Sequence, residues 1–114
     1  MNLNNTIQYL SFLSDGEDFT ARYAVYTLSG VLVREKWAND ADMTDDGETL
    51  VYFFPSRSVC CNVRGEEAPL PRAKYGDCVR LTAADGSQRT LRVRQASYYD
   101  GGSFGLSHVR LRLK

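Results

Sequence analysis

Apolar and polar residues alternate with a period of two along much of this chain, the pattern of strands with one buried and one wet face. From Phe19 to Leu28 the side chains Phe19, Ala21, Tyr23, Val25 and Thr27 fall on one side. Ser29-Gly30 predicts a turn into a second strand, Val31 to Trp37. Glu48 to Phe54 predicts a strand stopped by Pro55, and Ser56 to Val63 a weaker one. Residues 38–47, which are acidic, and 65–72, which hold two prolines, predict flexible loops. Residues 1–18 form an N-terminal segment. Its apolar patch, Ile7, Tyr9, Leu10, Phe12 and Leu13, fits a short helix as well as an extended arm.

The sharpest pattern lies after Tyr75-Gly76-Asp77-Cys78, where two strands flank Asp85-Gly86. A two-residue loop would set Val79 opposite Arg92, whereas a three-residue loop, Ala84-Asp85-Gly86, sets Val79 opposite Leu91. Burial selects the second register, because a one-residue slip turns every side chain to the other face. The same arrangement is a type I turn plus bulge, with Gly86 in the left-handed position. Arg80, Arg92 and Arg94 then share the solvated face. On the last strand, Arg110, Arg112 and Lys114 alternate with Val109, Leu111 and Leu113. The core-facing set expected from these patterns is Tyr52, Phe54, Val79, Leu81, Leu91, Val93, Leu111 and Leu113, with Phe53 on the other face or beneath the N-terminal segment.

Six or seven short antiparallel strands with turns at hairpin spacing predict an all-β domain, a small barrel or sandwich with little helix. The 114 residues suit a single domain spanning 1–114. A hydrophobic content of 43% and a charged content of 25% are globular values and argue against disorder. Net charge is zero but unevenly spread: residues 1–50 carry nine acids and three bases, residues 51–114 eleven bases and five acids. Such polarity serves head-to-tail packing of identical subunits, or turns one face to a polyanion. Cys60, Cys61 and Cys78 have no framework spacing, so free thiols in a reducing compartment are expected. The N-terminus lacks the basic and apolar regions of a signal peptide, and no apolar run reaches membrane-spanning length. Synthesis in the cytoplasm, with no membrane partner, is the corresponding expectation.

Candidate chemistry is sparse. The loop from Asp40 to Gly47 resembles a calcium loop, but an EF-hand fails at its sixth position, Asp45, and its twelfth, Val51. His108 has no visible partner for Cys–His catalysis, and no nucleophile elbow, P-loop or dinucleotide fingerprint occurs. No enzyme, cofactor or metal is expected. The rows Arg80, Arg92, Arg94, Arg110, Arg112 and Lys114 are the candidate assembly or DNA-facing surface, and Asp40, Asp42, Asp45 and Asp46 the candidate acidic partner surface. Basic rows can track phosphates while Tyr98, Tyr99 and Phe104 stack on bases. The outward face of a one-sided sheet is polar in any case.

The stretch from Glu48-Thr49-Leu50-Val51-Tyr52-Phe53-Phe54-Pro55, through Tyr75-Gly76-Asp77-Cys78-Val79, Asp85-Gly86, Leu91-Arg92-Val93 and Tyr98-Tyr99-Asp100, to His108-Val109-Arg110-Leu111-Arg112-Leu113 resembles the small minor capsid or head-closure (neck) proteins of tailed phages and prophages of Gram-positive bacteria. The resemblance implies a β-barrel subunit stacked in a homo-oligomeric ring at the portal, joining head to tail. Its partners would be portal, connector and tail proteins, its destination the virion, and its basic face open to non-specific DNA contact. The alternative is a small cytoplasmic β-barrel module that binds nucleic acid or a protein partner.

Overall fold

A computed structural model describes residues 3–15, 21–36, 48–101 and 107–114. The alternation becomes seven strands: β1 (Asn5–Asp15), β2 (Ala21–Lys36), β3 (Glu48–Phe53), β4 (Val59–Cys61), β5 (Cys78–Thr82), β6 (Gln88–Tyr99) and β7 (His108–Leu113). No helix occurs among the described residues. All pairings are antiparallel, in the order β1-β5-β6-β7-β3-β2-β4, and β1 also pairs with β2. The sheet therefore closes on itself as a barrel, with β4 lying along β2. The N-terminal segment, legible as helix or arm, is strand β1, held between β2 and β5.

Ser29-Gly30 does not turn the chain. Residues 21–36 form one strand, with β1 on one edge; β4 at Thr27–Ser29 and β3 at Val31–Lys36 share the other. Gly30 has φ +78°, and the register with β1 shifts across it, so it is a bulge rather than a turn. A Cβ there would lie 3.3 Å from both the Arg57 carbonyl oxygen and Ser58 Cα. The loop joining β3 to β4 thus presses on the one β2 residue without a side chain.

The barrel interior holds Ile7, Tyr9, Leu28, Val31, Val51, Phe53, Val79, Leu81, Val109, Leu111 and Leu113. The phase expected for β3 is reversed. Val51 and Phe53 point inward, opposite Leu111 and Val109, while Tyr52 and Phe54 lie half-buried on the outer face. Residues 50–54 are apolar on both sides, so alternation cannot choose the phase, and the register with β7 does. Leu91 and Val93 are partly buried against the core rather than within it.

The Asp85-Gly86 hairpin takes the three-residue form. Val79 pairs with Leu91, the Ala83 amide donates to the Ser87 carbonyl at 2.8 Å, and Gly86 has φ +87°. The Asp85 carboxylate accepts from the Ser87 hydroxyl and amide, which holds its pKa below the ordinary value. Beyond this hairpin the register of β6 against β7 shifts between Val93 and Gln95. Arg94 falls in that bulge, so it is exposed but leaves the row expected with Arg80 and Arg92.

Candidate functional site

Asp77 is the one fully buried charged residue among those described. Its carboxylate accepts hydrogen bonds from the Tyr9 hydroxyl (2.5 Å), the Phe12 amide (2.8 Å), the Lys74 amide (2.9 Å) and the Lys74 ammonium (3.2 Å). Lys74 Nζ also donates to Ser11 Oγ at 2.6 Å, and the Asp77 carbonyl accepts from the Val93 amide at 2.9 Å. One residue thereby joins β1, β5 and β6. Burial first, then the Asp77 hydrogen bond and charge, push the Tyr9 hydroxyl pKa far up. Buried carboxylates with raised neighbours often mark catalysis. Here four donors occupy the carboxylate oxygens, which leaves no acceptor aimed at a substrate and makes the group a structural clamp.

Gly76 sits beside the clamp with φ +96°, and a Cβ there would meet Phe12 Cγ at 2.9 Å. In the sequence, Gly76-Asp77 reads as a turn before a strand. The folded reason for that dipeptide is close approach by the glycine and burial by the aspartate.

The outer face of β2, β3, β7 and β6 carries two of the basic candidates, Arg110 and Arg112. Cross-strand register places Leu32, Tyr52, Arg110 and Ser97 in one row, and Arg34, Leu50, Arg112 and Gln95 in the next. At the end of this face His108 stacks on Tyr99, with centroids 4.6 Å apart and planes at 16°, and Phe54 lies 5.9 Å from His108 on its other strand neighbour. Arg110 sits over Tyr99 and Arg57 over Phe54. His108 is therefore engaged with two aromatic rings. The three cysteines are free, and burial followed by the adjacent Cys61 raises the pKa of the Cys60 thiol.

The six basic candidates do not form one uniform stripe. Arg80 donates to Gln8 at 3.2 Å, and Arg92 lies over Tyr75. Arg112 is paired with Glu48 at 2.8 Å and also donates to Gln95. The Lys114 amide bonds the Arg92 carbonyl, which brings those two residues together. Asp40, Asp42, Asp45, Asp46 and Phe104 lie outside the described residues. Among the described residues no three His, Cys, Asp or Glu side chains are grouped to hold a metal, and no helix is long and apolar enough to cross a membrane.

Residues 65–72, expected as a loop, lie across one end of the barrel. The Ala68 amide donates to the Cys60 carbonyl, and Glu67 forms a bridge with Cys61. At the far side the Ala73 amide donates to the Tyr98 hydroxyl at 2.8 Å, and the Arg72 guanidinium lies 4.0 Å from the Tyr98 ring centroid. Beneath this strap is a cavity of about 680 Å³ whose floor is the barrel interior at Leu28, Phe53, Val109 and Leu111. Sequence reasoning passed over Arg72 and the strap. The short apolar run Ala68-Pro69-Leu70-Pro71, set between Glu67 and Arg72, was the available signal.

Against known protein families, curated protein sequences and solved structures, the chain finds no match in any of the three comparisons.

Proposed function

We propose that this chain is a structural subunit of a phage or prophage virion, a non-catalytic β-barrel of the head-closure or minor capsid type that assembles in a ring at the portal. The observation that carries this reading is the outer face of β2, β3 and β7. Leu32, Leu50, Tyr52 and Phe54 are half-buried there, between Arg34, Arg110 and Arg112. Interfaces combine such aromatic and aliphatic side chains with arginine, whereas a purely solvated sheet face carries fewer large apolar groups. The sequence resemblance supplies the identity of the partners, and the closed barrel accords with it.

Co-expression with a portal complex, followed by sedimentation and electron microscopy, tests the proposal. Co-sedimentation and a ring beneath the portal are expected, with Tyr52→Asp abolishing both while the unfolding midpoint is retained. A chain that ignores portal assemblies refutes the reading.

The aromatic row Phe54, His108 and Tyr99, flanked by Arg57 and Arg110, favours a second reading, a module that binds single-stranded nucleic acid by stacking and phosphate contact. Affinity for a labelled oligonucleotide that falls steeply with salt and is lost in Tyr99→Ala would select it.

A further inference from the structure

Beyond β4 the chain folds back on itself as a tight hairpin over residues 60–68, a feature the outer-face reading leaves unused. We propose that this hairpin is the knob of a head-to-tail contact between two copies of the chain. Its Val63 turn seats on the outer face of β2, β3 and β7 of the next copy, where Glu66 and Glu67 meet Arg34 and Arg110. The inference rests on the assembly-subunit reading and names which parts of neighbouring subunits touch.

The turn holds Val63 out in water. The Asn62 side-chain carbonyl accepts from the Arg64 amide at 2.9 Å and the Glu66 amide at 3.1 Å, and its main-chain carbonyl accepts from Gly65 at 3.0 Å. The Asn62 amide donates to the Glu66 carbonyl, and Cys61 bridges Glu67. Gly65 has φ +79°, the left-handed conformation that lets the chain reverse here. Val63 is 78% exposed, more than any other described valine, leucine or isoleucine. Because its backbone is already fixed, docking it forfeits little conformational entropy.

The receiving face has the complementary make-up. Leu32, Leu50 and Tyr52 lie half-buried there between Arg34 and Arg110, while Arg112 is already paired with Glu48. On the knob, Glu66 and Glu67 are exposed and outweigh Arg64 in the same turn. None of the ion pairs among the described residues engages Glu66, Glu67, Arg34 or Arg110. One chain thus carries both an acid-rimmed apolar knob and a base-rimmed apolar face, which makes a second copy the fitting occupant. Placing two faces together about a two-fold axis would instead set arginine against arginine. The knob follows Cys61, the partner of Thr27, and the face is centred at Leu32, five steps or about 17 Å further along β2. The two surfaces are therefore distinct, and joining them repeats as a ring or filament rather than closing as a pair.

Sedimentation velocity of the full chain, over a range of concentrations and salt, tests the contact through charge reversal. The wild type is expected to associate as concentration rises, less so at high salt. A knob variant, Glu66→Arg with Glu67→Arg, and a face variant, Arg34→Glu with Arg110→Glu, are each expected to weaken self-association about tenfold. An equimolar mixture of the two, and one chain carrying all four substitutions, are expected to recover it. Recovery cannot come from misfolding, because the fourfold chain holds every change present in the weakened ones. Val63→Asp is expected to weaken association without moving the unfolding midpoint. A wild type monomeric at every concentration, association that stops at a dimer, or no recovery in the fourfold chain overturns the proposal. Association through the knob by a chain that ignores portal assemblies removes the virion reading and leaves the contact. A portal-bound ring that survives both reversals removes the contact alone.

Discussion

Residues 74–77 and residues 68–73 are neighbours in a single connection between β4 and β5, yet they are held in opposite ways. The first stretch is tied by a buried carboxylate that gathers donors from Tyr9, Phe12 and Lys74. The second is fixed at Ala68 and Ala73 and lies over a cavity, with two of its residues unable to donate at all. Local stability follows the density of buried, satisfied contacts. The clamp should therefore open only when the barrel unfolds, whereas the strap can adjust while the barrel stays shut. Rigidity and local freedom thus sit within ten residues of one another.

The largest expected effect lies at the clamp. Asp77→Ala removes an acceptor shared by buried donors and should cost about 3–5 kcal/mol in denaturant unfolding. A loss below about 1 kcal/mol would break the contrast, because Asp77 would then be no more important than a strap residue. Tyr9→Phe removes one charge-assisted hydrogen bond and should cost about 1.5–3 kcal/mol at neutral pH.

The same tyrosine gives a pH test. Its pKa is raised on folding from an ordinary value near 10. Above that pH the unfolded chain loses the proton while the folded chain keeps it, so stability should decline as pH rises past about 10. Tyr9→Phe should flatten that decline, measured as unfolding free energy against pH.

On the strap, Leu70→Ala should cost only about 1 kcal/mol, since Leu70 is partly buried against the core. Hydrogen exchange gives the companion measurement. The amides of Phe12 and Val93, which bond Asp77, should exchange far more slowly than those of Leu70 and Arg72. The smallest effect concerns Cys60, which lines the cavity and has a raised pKa. It should alkylate more slowly near pH 8 than a model thiol of ordinary pKa, because less thiolate is present. A faster rate would mean that the cavity wall there is open and polar.

Much of the barrel was legible where one face of a strand is wet. The Asp85-Gly86 register, and with it the burial of Val79 and Leu81, follows from a single parity argument. Parity fails where both faces are apolar, as at Tyr52 and Phe54, and where glycine makes a bulge that resembles a turn, as at Gly30. The bulge at Arg94 leaves no compositional trace, because it arises where β6 changes partner from β5 to β7. The clamp was hidden for a different reason. A carboxylate can be buried only beside its donors, and Tyr9 and Phe12 are 68 and 65 residues away.

Closure of the sheet also dictates an order of events during folding. β7 fits between β3 and β6, so both of those strands keep an open edge until His108–Leu113 arrives. A ribosome-bound chain lacking that segment would display two unpaired ladders and an uncovered apolar lining, the features that drive edge-to-edge association. β6 and β7 are chain neighbours, but the β3–β7 pairs join residues far apart in sequence, so that side closes slowly. Until β7 inserts, the open edges of β3 and β6 are therefore the chain's main liability to association.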